Sequence, residues 1–132
     1  MSQTTPRRIV LLEHDANMRH LLCGAAYRYG LEAVPAASFA AARAKLRWFE
    51  ADGVVVDVDM ANWKGCLALA LDLVSARVPF VVHTERVVPR LHHVGFSAPI
   101  VLKGRVGPSV LFDITVDEIE RASSRRKGRS WQ

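Results

Sequence analysis

The sequence predicts an α/β domain in which helices cover both faces of a five-stranded parallel sheet. Three observations favour this fold: short runs of apolar, β-branched residues recur along the chain, segments with helical spacing separate most of them, and the runs end in polar residues. Apolar runs without alternation are typical of strands buried on both faces. When such strands alternate with helices, they form a parallel sheet whose strands end at one shared edge.

The predicted elements follow one another in strand–helix order, with no internal repeat and no domain boundary among them. The strands are expected at residues 9–12, 31–34, 53–59, 79–84 and 99–103, and the helices at residues 16–29, 39–49, 66–76, 90–94 and 108–123. The last part of the 53–59 run carries two carboxylates, Asp57 and Asp59, at the end of the strand. This run is expected to be a strand buried on both faces, because it is apolar and β-branched without alternation.

End signals support the elements of the first half. Asp15 can cap the first helix, and Gly30 can end it in a left-handed conformation. Pro35 closes the short second strand, which is expected at an edge of the sheet. Ser38 can cap the alanine-rich second helix.

The second half contains weaker signals. Leucines alternate in the 66–76 segment, but its alanine content, its length and the order of its neighbours favour a helix after a turn at residues 61–65. Gly95 ends the short segment predicted as a helix at 90–94. Pro108 can occupy the first turn of the last helix.

Length and composition limit the class of protein. The 132 residues, half of them hydrophobic, suffice for one domain with a buried core. No apolar run approaches a membrane span, and the first residues lack the apolar region of a signal peptide, so we expect a cytoplasmic protein. Cys23 and Cys66 lie in apolar stretches without metal-ligand spacing, which favours buried, reduced thiols.

The net charge of +5 comes from the C-terminal end. Residues 121–132 carry five basic side chains and no acidic one, and the 13 basic residues that remain balance the 13 acidic ones. We therefore predict that residues 122–132 form a basic, disordered tail. A basic end on a neutral body does not indicate a nucleic-acid-binding fold.

The predicted strands end in polar residues whose side chains could act together in one site. They are Glu13, His14 and Asp15 after the first strand, Asp57 and Asp59 at the third, Thr84 at the fourth and Lys103 at the fifth. A carboxylate can accept a phosphoryl group as an aspartyl phosphate, and neighbouring acids can hold a divalent cation. A hydroxyl and an ammonium can bind the remaining oxygens. Taken alone, Asp57 could also be a strand-end acid that caps a turn.

With these residues, the chain resembles the receiver domain of bacterial two-component response regulators over about residues 7–121. Each single match is weak, but four matches in order, each at the end of a predicted strand, are fairly specific. By position, Asp57 corresponds to the phosphoacceptor and Glu13 to the first acid of the acidic pair. Thr84 corresponds to the switch hydroxyl and Lys103 to the phosphate-binding lysine.

The resemblance implies a flavodoxin-like fold with strand order 2-1-3-4-5, and a signalling protein rather than an enzyme. It implies Mg²⁺, weakly held or replaced by another divalent ion, at Glu13, Asp57 and the backbone carbonyl of Asp59. The implied partners are a histidine kinase or phosphotransfer protein as donor and a downstream protein as target. Receivers also often form homodimers through their fourth and fifth elements. Neither a membrane nor a nucleic acid is an expected partner.

Several positions depart from the receiver pattern. His14 stands where the second acid, a direct magnesium ligand, is expected, and imidazole is a poor ligand for Mg²⁺. Gly104 follows the lysine in place of the usual proline, and Ile100 stands where an aromatic switch residue is common. Glu85 replaces the small residue that normally follows the switch hydroxyl, where it can repel a phosphoryl donor.

Three functions are open at this point. The first is a stand-alone receiver in which Asp57 accepts phosphate and protein–protein contact carries the signal. The second is a pseudo-receiver that acts as an adaptor without phosphorylation, because His14 and Glu85 have dismantled the metal site. The third is a flavodoxin-like enzyme or ligand binder that shares only the fold. For His14 itself, a role as ligand of a softer metal and a hydrogen bond to Asp57 or Asp59 are equal alternatives.

Two other classes are not indicated. A serine hydrolase of the GxSxG type lacks its motif here. A dinucleotide-binding fold would need a glycine-rich turn after the first strand, where this chain has Glu13, His14 and Asp15.

Overall fold

The computed structural model describes residues 5–58, 60–86 and 97–130. Five strands and four α-helices make up this part of the chain. In order they are β1 (Arg8–Leu12), α1 (Ala16–Tyr29), β2 (Glu32–Ala36), α2 (Phe39–Trp48), β3 (Gly53–Asp57), a 3₁₀ turn (Met60–Asn62), α3 (Trp63–Ala76), β4 (Phe80–Thr84), β5 (Ile100–Leu102) and α4 (Pro108–Ser130). The helix predicted at 90–94 lies outside the described residues.

The strands form one parallel sheet in the order β2-β1-β3-β4-β5, which confirms the predicted flavodoxin-like topology. All five residues of β3 and all five of β4 are buried, because helices cover both faces of these central strands. The register pairs Asp57 with His83 and Thr84 with Leu102. The strands therefore end side by side, and the residues at their ends meet at one edge.

Two hydrophobic clusters lie on opposite faces of the sheet. Alternate residues of β1 and β3, such as Val10 and Val54, pack against α2 and α3, whereas their neighbours, such as Ile9 and Val55, pack against α1 and α4. Phe112 of α4 is fully buried in the second cluster. This alternation continues to the strand ends and decides which side of the sheet each polar residue faces.

Helix termini follow the sequence signals closely. Asp15 accepts a hydrogen bond from the Met18 N–H at 2.7 Å, and α1 ends at Gly30, whose φ of 97° is in the left-handed region. Ser38 accepts from the Ala41 N–H at the start of α2. The predicted bounds of α1 are confirmed, because a side-chain cap and a glycine stop mark both ends.

Three boundary predictions were wrong. Pro35 lies inside β2 rather than after it, which an edge strand allows because half of its N–H groups need no partner strand. The segment 61–65 is not a separate turn, since α3 begins at Trp63 with Asn62 as its cap. The last helix ends at Ser130 rather than near residue 123.

The residues predicted as a tail are therefore helical as far as Ser130. Arginine and lysine have high helix propensity, and Gly128 is the only strong helix-disfavouring residue among them. Arg121 also forms an i,i+4 ion pair with Asp117, which supports the helix at this point. The domain boundary at residue 121 remains a prediction.

Cys66 is buried, and Cys23 is partly buried. Among the helices in the described ranges, none combines the length and the apolar character that crossing a membrane requires.

Candidate functional site

Three of the predicted site residues are in contact at the edge where the strands end. Glu13 directly follows β1, Asp57 is the last residue of β3, and Lys103 directly follows β5. The Lys103 Nζ lies 2.7 Å from Asp57 Oδ1 and 2.8 Å from Glu13 Oε1. The alternation that puts Ile9, Val55 and Val101 into one cluster carries these three side chains to the same side of the sheet.

The cluster is largely shielded from water. Relative side-chain exposure is 2% for Glu13, 10% for Asp57 and 11% for Lys103. Charges at such depth are stable only when opposite charges and hydrogen bonds compensate them. The structure therefore confirms that the strand ends bring these groups together, while their chemical roles are a separate question.

His14 approaches Asp57 from the other side. Its backbone N–H donates to Asp57 Oδ2 at 3.1 Å, and its Nδ1 lies 2.8 Å from the same oxygen. Because an ionised carboxylate only accepts hydrogen bonds, the ring donates through an Nδ1–H. Of the two alternatives for His14, the hydrogen bond to Asp57 is the one present in this structure.

The polypeptide after β1 is shaped by further contacts. The Asp15 N–H donates to Glu13 Oε2 at 3.0 Å, and the Arg19 guanidinium donates to the Glu13 carbonyl at 2.8 Å. The Asp15 side chain faces the start of α1 as its cap and is not in the carboxylate cluster. The helix cap thus orients the loop that carries Glu13 and His14 to Asp57.

Thr84 occupies the predicted position at the end of β4 and is 6% exposed. Its hydroxyl accepts a long, 3.5 Å hydrogen bond from the Arg86 N–H. Its carbonyl accepts from the Lys103 N–H at 2.8 Å, which fixes the backbone of the lysine next to β4. Asp59, the remaining predicted site residue, lies outside the described residues.

The ionisation of the cluster follows from burial and contact. Burial raises the pKa of Glu13, and contact with Lys103 only partly opposes this effect. Burial also acts to raise the pKa of Asp57, but contacts with Lys103, Glu13 and His14 hold this pKa below its usual value. Burial works to lower the pKa of Lys103, but its two carboxylate partners raise it above the usual value. Asp57 and Lys103 are therefore a charged pair at neutral pH.

His83 is a residue of this edge that sequence reasoning did not assign. It is 5% exposed, pairs in register with Asp57, and its Nδ1 has no hydrogen-bond partner among the described residues. Burial, with a contribution from the charge of Lys103, lowers its pKa to about 4. Its position at the end of an apolar strand was visible in the sequence, but its depth was not.

The described donor set does not fit Mg²⁺. This cation needs oxygen ligands in nearly octahedral arrangement, and the side chains here supply two carboxylates whose oxygens contact Lys103 and His14. Over residues 5–58, 60–86 and 97–130, no group of three or more histidine, cysteine, aspartate or glutamate side chains is arranged to hold a metal ion. In the described residues, the implied ligands Glu13 and Asp57 therefore form an ion-paired and hydrogen-bonded cluster with Lys103 and His14, while the third implied ligand, the Asp59 carbonyl, lies outside them.

Solved structures of receiver proteins share this fold. The CheY-like receiver domain protein from Methanospirillum hungatei superposes with a TM-score of 0.78 at 16% identity, over 92% of this chain and 99% of that one. The receiver protein from Sinorhizobium medicae gives 0.74 at 17% identity, over 89% and 97%. The Vibrio cholerae chemotaxis protein CheY4 gives 0.69 at 18% identity, over 83% and 95%.

No protein-family model matches the sequence, and no curated protein matches it. The structural neighbours are CheY-like response regulator receiver domains, and the five parallel strands with their order confirm that the chain has the receiver fold. At this low identity, the likeness concerns the fold and does not extend to activity.

Replacing Lys103 by Met will destabilise the protein. The change removes the ammonium and leaves Glu13 and Asp57 buried without their counter-charge, which costs about 3–5 kcal/mol in comparable pairs. Chemical denaturation at neutral pH measures this loss. Arg43→Met, which breaks an exposed pair with Asp72, is the control and should cost less than about 1 kcal/mol. Equal losses for the two variants would contradict the account of the cluster.

His83 should make stability depend on pH. The folded protein keeps His83 neutral down to a pKa of about 4, whereas the unfolded chain takes up the proton near 6.5. Stability is thus fully present above pH 6.5 and is lost as the pH falls towards 4. Between about pH 7 and about pH 5, His83 should therefore lower the free energy of unfolding by at most about 2 kcal/mol.

Denaturation of wild type and His83→Leu at both pH values tests this. The variant should lose less free energy of unfolding on acidification than the wild type. His20→Gln, at an exposed position of α1, controls for the removal of a histidine. An unchanged pH dependence in His83→Leu would show that other groups cause it.

Proposed function

We propose that the chain is a receiver-type domain of two-component signalling that accepts a phosphoryl group on Asp57 and signals by protein–protein contact. The donor is a histidine kinase or a phosphotransfer protein. The observation that carries this proposal is the ion pair of Asp57 with Lys103, at 2.7 Å, at the edge of a sheet with the receiver fold. Ligands of open α/β sheets bind at this edge.

The contacts suit Asp57 to nucleophilic attack. A carboxylate oxygen attacks the phosphorus of a phosphohistidine, the P–N bond breaks, and its electrons leave with the imidazole of the donor. Asp57 is ionised at neutral pH, since contacts hold its pKa below the usual value. The Lys103 ammonium, already beside Oδ1, can stabilise the negative charge on the phosphoryl oxygens. Thr84, tied to the backbone of Lys103, is the proposed switch hydroxyl.

The output is proposed to be contact with a downstream protein. Lys103 lies between β5 and α4, so a change in its partners can reach the surface formed by these elements. Homodimer formation through the same surface is part of this proposal. The protein is proposed to act in the cytoplasm of a bacterium, as a signalling protein and not as an enzyme.

One observation favours a second candidate function. His14 donates twice to Asp57 Oδ2, through its backbone and its ring, and thereby occupies the oxygen opposite Lys103. A carboxylate with both oxygens held is a weaker nucleophile than a free one. The alternative is therefore a pseudo-receiver that binds its partner without phosphorylation.

Phosphate incorporation distinguishes the two candidates. After incubation with a small-molecule phosphodonor, intact mass spectrometry should show one added phosphate on the wild type and none on Asp57→Asn. Asp52→Asn makes the same change before β3, at an exposed carboxylate that accepts from the Arg8 N–H, and should keep the adduct.

The absence of an adduct on folded wild type, beside a working control receiver, would favour the adaptor. An adduct that survives in Asp57→Asn would place the modified residue elsewhere. Either result would contradict the assignment of Asp57 as phosphoacceptor.

A further inference from the structure

Three of the four carboxylate oxygens of the cluster accept a hydrogen bond from the chain itself, and the fourth, Glu13 Oε1, has the Lys103 ammonium beside it as an ion pair without a hydrogen bond. Lys103 Nζ lies beside one oxygen of each acid, Glu13 Oε1 and Asp57 Oδ1. The second oxygen of Glu13 accepts from the Asp15 N–H at 3.0 Å. The second oxygen of Asp57 accepts from both donors of His14. Either a hydrogen-bond donor of the chain or the Lys103 ammonium therefore lies beside each of the four oxygens.

The His14 ring is held in place by more than its bond to Asp57. It forms a T-shaped contact with the Phe39 ring, with centroids 5.1 Å apart and planes inclined by 65°. Phe39 is itself 3% exposed, at the first turn of α2. The ring is therefore fixed between a core aromatic and the carboxylate, and turning it away would break both contacts.

A divalent cation would have to displace these donors. To reach Asp57 Oδ1 or Glu13 Oε1 it must approach the Lys103 ammonium, whose positive charge repels it where little water screens the two. To reach Asp57 Oδ2 it must displace the Nδ1–H of His14. Imidazole offers no compensation, because hard cations such as Mg²⁺ prefer oxygen ligands.

We propose that this edge of the sheet is closed to divalent cations, with the Nδ1–H of His14 and the ammonium of Lys103 in the directions that a cation would use. The role of His14 is to donate hydrogen bonds to the Asp57 oxygen that Lys103 does not contact, so that groups of the chain itself stabilise the charge of Asp57. This inference goes beyond the proposed function, because it concerns which groups balance the charge of Asp57. It holds whether or not Asp57 accepts phosphate.

Direct measurement of Mn²⁺ binding tests the proposal. The electron paramagnetic resonance signal of free Mn²⁺ reports the bound fraction, with no activity involved. Wild type should bind no Mn²⁺ at this site up to millimolar concentration. His14→Asp removes the ring donor and adds a third carboxylate, so it should bind one Mn²⁺ at least about ten-fold tighter, the effect of even one outer-shell partner on metal affinity.

His20→Asp is the matched control, since it adds the same carboxylate at an exposed position of α1 and should bind like the wild type. A rise in thermal unfolding temperature with Mn²⁺, in His14→Asp only, checks that the folded form binds the ion. If the wild type binds one Mn²⁺ and Asp57→Asn abolishes this binding, the proposal is overturned. The comparison of these two proteins is decisive even if His14→Asp does not fold. A folded His14→Asp that binds no better than the wild type would overturn it as well.

Discussion

The ammonium of Lys103 is the interaction on which the site depends. It lies within 2.8 Å of a buried oxygen of both Glu13 and Asp57, which come from two different strand ends. Without it, two carboxylates would face each other in a region that water hardly reaches. Buried ion pairs of this kind contribute little stability compared with apolar residues of the same size. Stability alone therefore does not account for the cluster, which is consistent with the proposed role of Asp57 as an ionised nucleophile.

Much of this arrangement follows from a two-residue periodicity. The alternation that buries Ile9 and Val55 against α1 and α4 also carries Glu13 and Asp57 to that side of the sheet. Because the strands are parallel and in register, their last residues meet at one edge without any special loop. The sequence pattern was therefore sufficient to predict the parallel sheet and the meeting of its strand ends, while the strand order was implied by the resemblance to receiver domains.

Other features could not be predicted, because they depend on contacts between distant segments. The partner of His14 is decided by Asp57 and Phe39, which belong to different elements, and the sequence left a metal ligand and a hydrogen bond equally open. The low pKa of His83 requires its depth in the core, which its place at a strand end does not give. The extent of α4 was missed because charge content suggested disorder, although the same arginines favour a helix.

The chain thus combines the receiver fold with a cluster of charges in which Lys103 is the cation beside Asp57. The negative charge of Asp57 is balanced by Lys103 on one side and by two donors of His14 on the other. The most direct test of this account is the rate of phosphate incorporation into the wild type, measured by intact mass with Mg²⁺ and again with a chelator. The account predicts incorporation at Asp57 at equal rates under both conditions. Incorporation that requires Mg²⁺ would contradict the cation-free balance, and no incorporation under either condition would contradict the role of Asp57 as phosphoacceptor.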